Sequence, residues 1–221
     1  MLYIVGTPIG NLEDISLRAL RVLKEADLIL CEDTRVTKKL LSHYDIHTRV
    51  KRLDAHKEGE LAKEVERIFK MHESIALVSD AGTPTISDPG NRFVEAAREA
   101  DIEIESIPGP SALTAALSVS GFPADSFLFL GFLPHKKGRE TLFKEIAKEK
   151  RTVALYESPH RLLKTLDSLA EFLGDREIAV VSELTKMHEE VLIGSAEEIK
   201  GKLVEYPEKQ KGEFVILIAP K

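Results

Sequence analysis

Apolar positions follow two regimes along the chain. In one, short unbroken apolar runs stop abruptly at turn residues: Leu2–Val5, Leu28-Ile29-Leu30 and Ile75-Ala76-Leu77-Val78. Runs of that length read as strands buried on both faces. In the other, apolar residues recur every three or four positions. Leu17, Leu20 and Leu23 do so, as do Leu61, Val65, Ile68 and Phe69, then Phe93, Val94, Ala97 and Ala100, and finally Leu162, Leu166, Leu169 and Leu173. That spacing lays one apolar stripe along a helix.

The remaining elements of the first half fit between these. Ser16 is placed to cap the first helix. Asp33-Thr34 opens a helix through Leu40-Leu41, and Arg49–Leu53 is a short strand. Ile102–Ile107 alternates charged and apolar residues, as a half-buried edge strand does, and Ala112–Val119 is a helix of small residues. Strand and helix alternate, which is the order of a mostly parallel sheet with helices on both faces. Gly121-Phe122-Pro123 interrupts the pattern and predicts a boundary between a domain of residues 1–120 and one of 121–221. The second half predicts strand Phe127–Leu130, helix Glu140–Lys148, strand Thr152–Tyr156 and helix Arg161–Leu173, with Ser158 as cap and Pro159 as first helical residue. Strands over Glu177–Ser182, Glu190–Ile193 and Glu213–Ile218 follow, with a helix, Ala196–Val204, before the last. Adjacent strands without crossover helices predict a mixed sheet. The expected fold class is α/β, with two α/β domains, the first parallel and the second mixed.

Three strand ends share an unusual composition: Gly6-Thr7-Pro8-Ile9-Gly10-Asn11, Ser79 to Gly90, and Pro108-Gly109-Pro110-Ser111-Ala112. Glycine permits close backbone approach and proline stiffens a turn. One such loop is explained as a turn. Three in one half predict a shaped pocket at the carboxyl edge of the sheet, where open parallel sheets bind ligands.

Composition narrows the class. The chain has 221 residues, 43% of them hydrophobic and 31% charged, so it is expected to be globular. Its apolar runs are too short to span a membrane, the sequence goes straight into a strand, and Cys31 is the single cysteine. A cytoplasmic protein without a membrane partner is expected. The G-x-G-x-x-G fingerprint, a Walker lysine loop and a G-x-S-x-G elbow are all missing, and His43 and His47 have no third zinc ligand in sequence. An enzyme built here is expected to use backbone contacts and a few polar groups, without a metal.

Net charge is −6, yet Pro134–Arg151 gathers Lys136, Lys137, Arg139, Lys144, Lys148, Lys150 and Arg151 against Glu140, Glu145 and Glu149. Arg35, Lys38 and Lys39 form a second basic group. Such runs are either solvated helix faces or local attractors for a polyanion.

The motifs then converge. Val5 to Ile15, Glu32-Asp33-Thr34-Arg35, Ser79 to Gly90, Ile107 to Ala112, Gly131-Phe132-Leu133-Pro134, Tyr156-Glu157-Ser158-Pro159-His160-Arg161 and Glu183-Leu184-Thr185-Lys186 occur in this order. Over essentially the whole chain they resemble the tetrapyrrole methylase superfamily, in its branch that modifies small-subunit ribosomal RNA. The resemblance implies S-adenosyl-L-methionine as cofactor, held in a cleft between two domains of a homodimer. It implies 2′-O-methylation of a cytidine in the decoding region of 16S ribosomal RNA, within the 30S subunit. Cofactor contacts carry over to Pro8, Ala81, Gly82, Thr83, Ile86, Ser111, Ala112, Tyr156 and Leu184. Gly82-Thr83-Pro84 stands where tetrapyrrole methylases have Gly-Asp-Pro, so an aspartate contact does not transfer to Thr83. Relatives often carry a further carboxyl-terminal helical segment, whose RNA contacts are not carried over either.

The sulfonium is already activated, so the protein must align the hydroxyl and take its proton. Glu157 and Glu183 are the candidate bases, with Asp33 and Asp88 behind them. Arg161 and Lys186 are candidates to grip phosphate or bias a neighbouring carboxyl. Arg35, Lys136, Lys137 and Arg139 are the candidate RNA contacts. Two other readings stay open: a sibling methyltransferase acting on a tetrapyrrole or a modified protein residue, and a non-catalytic module that binds S-adenosylmethionine or a nucleotide.

Overall fold

The computed structural model describes residues 1–53 and 58–221, apart from the side chains of residues 58, 61 and 62; the expected core position Leu61 falls among these. The chain divides into two units, Met1–Ser111 and Ala112–Lys221.

The first unit is built on five parallel strands, β1 (Leu2–Val5), β2 (Leu28–Cys31), β3 (Val50–Arg52), β4 (Ile75–Val78) and β5 (Ile104–Ile107), in the order β3-β2-β4-β1-β5. Its helices are α1 (Leu17–Glu25), α2 (Thr34–His43), α3 (Glu58–Lys63), α4 (Val65–Met71) and α5 (Asn91–Glu99). The steps from β1 to β2 and β2 to β3 run one way across the sheet; those from β3 to β4 and β4 to β5 run the other way. Right-handed crossovers therefore put the helices on both faces. One face buries Ala19, Val22, Leu23, Leu40 and Leu41 against Val5, Ile29, Cys31, Ala76 and Val78. The other buries Val65, Ile68, Phe93 and Ala97 against Leu2, Leu28, Leu30, Ile75 and Leu77. Alternate residues of each strand serve opposite cores, which is why the runs are unbroken. The loops leaving β4 and β1, adjacent strands, run in opposite directions, and a crevice of that kind is where open sheets hold ligands. The single helix expected to carry Leu61, Val65, Ile68 and Phe69 is broken at Glu64 into α3 and α4.

The second unit comprises α6 (Ala112–Ser120), β6 (Phe127–Phe132), α7 (Arg139–Ile146), β7 (Thr152–Glu157), α8 (Leu162–Leu173), β8 (Ile178–Ser182), β9 (Glu190–Gly194), α9 (Ala196–Glu205) and β10 (Phe214–Ile218). The sheet order is β6-β7-β10-β8-β9, with β6 and β7 parallel and the other pairs antiparallel. Helices α7, α8 and α9 bury Phe143, Leu162, Leu166, Leu169, Ile199 and Leu203 against Val153, Leu155, Ile178, Val180 and Ile216. Helix α6 packs against β10 and β9.

Two expectations are corrected here. The units divide before α6 and not at Gly121, because α6 lies against β10 and β9 of the second sheet. The turn signal at Gly121 marks the end of a helix, not of a unit. Helix α8 begins at Leu162 with Arg161 in the capping position and no side-chain cap. The carbonyl of Ser158 accepts the N–H groups of Arg161 and Leu162, both at 3.1 Å, so Ser158-Pro159-His160 is a turn that leads into the helix.

Candidate functional site

In the first unit the three Gly- and Pro-rich loops follow adjacent strands, β4, β1 and β5. Thr7 and Gly82 form an isolated bridge, with Thr7 N–H donating to Gly82 O at 2.9 Å and Gly82 N–H to Thr7 O at 3.1 Å. The buried Thr7 hydroxyl donates to the carbonyls of Ser79 and Gly82, at 3.3 and 3.4 Å. Gly6 N–H donates to Ile107 O at 3.0 Å. Gly6 and Gly109 touch through bare backbone: a Cβ on Gly109 would lie 2.7 Å from Gly6 O, and one on Gly6 would lie 2.8 Å from Gly109 N. The three loops are thus one fastened rim. Pro8, Thr83 and Ser111 are half-buried on it, Gly82 is buried, and Ala81 and Ile86 are exposed. Gly82 has φ +78, and a Cβ there would face Ile9 Cγ2 at 3.6 Å and Pro110 O at 3.8 Å, a small neutral gap. Thr85 (φ +73), Ser87 (φ +64) and Gly90 (φ +122) are also left-handed. For a β-branched threonine that conformation is strained by about 1–3 kcal/mol, and such strain concentrates at ligand-binding segments.

Charge lies beside this rim, at the ends of β2 and β4. Asp33 caps α2 through Arg35 N–H, and the Arg35 guanidinium grips the same carboxylate, with Nη2 2.6 Å from Oδ2. That grip holds the Asp33 carboxyl down at about 2. Asp80 accepts the Asp33 N–H at 3.0 Å. Burial pushes the Asp80 carboxyl up, with the Asp33 charge adding to the rise. Burial also raises Glu32, reinforced by Asp80 and Asp88. Arg35 is exposed but paired.

In the second unit Glu157, at the end of β7, is fully enclosed. Its Oε1 accepts Ser158 N–H at 2.9 Å and faces Arg161 Nε at 3.2 Å, and its Oε2 accepts the Thr165 hydroxyl at 2.6 Å. Arg139 Nη2 donates to that same hydroxyl at 2.7 Å. Arg139 is turned inward and stacks over the Phe143 ring, 5.0 Å from its centroid. Two expectations change accordingly. Arg139, expected as a phosphate contact, is turned inward as a buried fastener: it donates to the neutral Thr165 hydroxyl and Pro134 carbonyl, and its Nε has no partner among the described residues. Glu157 is sealed from solvent with both oxygens engaged, which removes it as an accessible base. Lys136 and Lys137 are exposed.

The segment after β8 is strained. Glu183 (φ +50) and Thr185 (φ +66) are both left-handed. Lys186 Nζ lies 2.9 Å from Glu183 Oε1, and Glu189 accepts Thr185 N–H at 2.7 Å. Glu183 stays partly exposed, with its carboxylate against Gly212 where any Cβ would overlap it. Leu184 is buried. The Thr185 hydroxyl is buried with no hydrogen-bond partner among the described residues. Tyr156 is half-buried between the rings of Phe129 and Phe132, with centroids at 5.0 and 5.6 Å, and Ala112 opens α6. The first unit thus brings together Pro8, Ala81, Gly82, Thr83, Ile86 and Ser111. The second joins Glu157 to Arg161, and Glu183 to Lys186. Sequence reasoning quoted Thr7 and Thr185 within motifs without giving them a role, and it passed over Thr165. Thr165 left a signal: it is a polar residue on the apolar face that carries Leu162, Leu166 and Leu169.

The sequence profile of the tetrapyrrole (corrin/porphyrin) methylases matches residues 1–200. The chain belongs to this family. A Thermotoga maritima protein named ribosomal RNA small subunit methyltransferase I is 46% identical over 222 residues, spanning 100% of this chain and 98% of that one. Its namesake from Xylella fastidiosa is 48% identical over 98% of this chain and 80% of its own length. Among solved structures, diphthine synthase superposes with a TM-score of 0.74 at 18% identity, over 99% of this chain and 89% of that one. Uroporphyrin-III C-methyltransferase from Thermus thermophilus, complexed with S-adenyl homocysteine, gives 0.68 at 22% identity over 98% and 96%. The structural likenesses show that this methylase shares its two-unit fold with enzymes of differing substrates.

Proposed function

We propose that the protein transfers the methyl group of S-adenosylmethionine to the 2′-hydroxyl of a cytidine in the decoding region of 16S ribosomal RNA. It would act on the 30S subunit in the cytoplasm, as a homodimer. The observation that carries this reading is the near full-length identity to the Thermotoga maritima relative, 46% over 222 residues.

The residues present fit the cofactor. The rim at the ends of β4, β1 and β5 offers backbone groups and small side chains, and the gap before Gly82 is neutral. A neutral adenosine with a zwitterionic tail suits such a surface. Pro8, Ala81, Gly82, Thr83, Ile86 and Ser111 would hold it, and the resemblance adds Ala112, Tyr156 and Leu184 as further contacts. The buried Thr185 hydroxyl, without a partner among the described residues, is a further polar group suited to a ligand. When bound, the cofactor supplies a methyl group already activated on sulfur. The chain's own work is then to orient the ribose and hold its proton. Of the two candidate carboxylates, Glu183 is the one open to solvent, and it would accept the hydroxyl proton beside Lys186. Arg35, Lys136 and Lys137 would meet phosphates, which position RNA without reading its sequence.

The test supplies labelled S-adenosylmethionine to the pure protein with three acceptors: undermethylated 30S subunits, naked 16S RNA and a precorrin. Label in one alkali-resistant cytidine linkage of the 30S RNA is the expected result. Label in the precorrin alone would overturn the RNA assignment, and no transfer to any acceptor would leave a binding module.

A further inference from the structure

The buried charges of the second unit form a chain of contacts with two ends. At its centre is Glu157, with the Thr165 hydroxyl on one oxygen and Arg161 on the other. A hydroxyl can accept from one partner and donate to a second, so Thr165 links Arg139 to Glu157 without adding charge. The far ends of the two guanidiniums hold consecutive carbonyls of one loop. Arg161 Nη2 donates to Leu133 O at 2.6 Å, and Arg139 Nη1 donates to Pro134 O at 3.1 Å. Leu133 is buried, and the next five residues, Pro134 to Gly138, are all exposed. The turn closes when Arg139 N–H donates to Lys136 O at 3.2 Å. Lys136 and Lys137 therefore stand on a short exposed turn whose base is bolted to the core at both ends.

Buried ion pairs add little net stability over apolar packing; what they fix is geometry. We propose that Glu157 and Thr165 are positioning residues. Acting through Arg161 and Arg139, they hold the Leu133–Gly138 turn so that Lys136 and Lys137 meet RNA phosphate already in place. A pre-set turn loses less freedom on binding than a loose one. The proposal rests on the RNA reading above.

Thr165→Val removes the link and keeps the shape and both charges; Thr165→Ser restores the hydroxyl. In Thr165→Val, exchange of the Arg139 amide, whose N–H closes the turn onto Lys136 O, is expected to speed up, and affinity for undermethylated 30S subunits to fall about three- to tenfold. Affinity for S-adenosylmethionine stays at the parent value, and Thr165→Ser matches the parent throughout. Arg139→Met cuts the other end of the link and is expected to repeat the pattern, so the outcome does not hang on how one variant folds. The deciding measurement adds Thr165→Val to Lys136→Ala/Lys137→Ala: affinity lost through the lysines cannot be lost twice. An equal further loss in that background would overturn the proposal, as would unchanged exchange in Thr165→Val. If Lys136→Ala/Lys137→Ala itself binds 30S subunits like the parent, the phosphate role of the turn fails and the proposal fails with it. The methyl-transfer assay would still stand as the separate test of the activity.

Discussion

In the first unit, the loops after β4, β1 and β5 are joined by main chain: the Thr7–Gly82 bridge and the bare contact of Gly6 with Gly109. In the second, the loop after β6 is joined by side chains: two arginines, a threonine and a glutamate. Main-chain fastening needs glycine and leaves a close, neutral surface, suited to a small ligand that must be gripped all round. Side-chain fastening buries charge and keeps the loop itself free to be polar and exposed, suited to a large polyanion approached from outside. One chain thus uses both answers to the demand for a rigid loop.

The comparison breaks most severely where the charge is buried. Glu157→Ala leaves Arg161 and Thr165 facing a void, and removing one member of a buried pair costs about 3–5 kcal/mol. Urea unfolding should register that loss, and a loss below about 1 kcal/mol would mean the network is not what holds the turn. Next comes Gly109→Ala, whose Cβ meets Gly6 backbone at 2.7 Å. Overpacking of this kind costs about 1–3 kcal/mol. Calorimetry should also show at least about a tenfold loss of S-adenosylmethionine affinity, because the rim is forced apart; parent affinity would separate the ligand from the rim.

Gly82→Ala sharpens the contrast within the rim. Its Cβ has room, so the penalty is the left-handed backbone alone, about 1–2 kcal/mol, read as a lower melting temperature. Thr185→Gly should move the other way, since it relieves a β-branched residue at φ +66 and deletes a buried hydroxyl without a partner among the described residues. Stability equal to or above the parent is expected, and a clear loss would show that the hydroxyl already has a partner.

The smallest effects belong to the acidic corner, where two signs oppose. The Asp33 carboxyl, held down at about 2 by Arg35, contributes stability that is full above its unfolded value and fades as pH falls toward 2. Asp80, pushed up by burial, does the reverse: the folded state holds its proton longer, so stability falls as pH rises through its raised value. Arg35→Ala should raise the Asp33 titration, followed by NMR, above its parent value of about 2 while leaving it below the ordinary carboxyl value, because the N–H of residue 35 still caps the carboxylate. Asp80→Asn keeps an acceptor for Asp33 N–H and should raise the melting temperature at neutral pH by on the order of 1 °C.

Strands β1, β2 and β4 were legible because strands covered on both faces produce short unbroken apolar runs that end at turn residues. The rim was legible because glycine and proline write backbone constraints directly into the sequence. Side-chain direction was not. Arg139 sits in a basic run, and one residue decides whether a helix face points to water or to the core. Glu157 follows a buried strand and precedes Ser-Pro, which reads the same whether its carboxylate turns in or out. The edge of the second unit was hidden for a different reason: the partners of α6 are β9 and β10, far along the chain.

That placement of β10 bears on biogenesis. Phe214–Ile218 is the last strand of its sheet in chain order, yet it pairs with both β7 and β8 at the centre. During synthesis the first unit has all its strands once Ile107 has left the ribosome and can fold then. The second has two unjoined halves until the final strand appears. Until that moment α6, β7 and β8 expose apolar surface with nothing to receive it, so the interval before the last strand emerges is when a nascent chain most needs a chaperone. A truncation just before Phe214 would hold the protein in that state permanently.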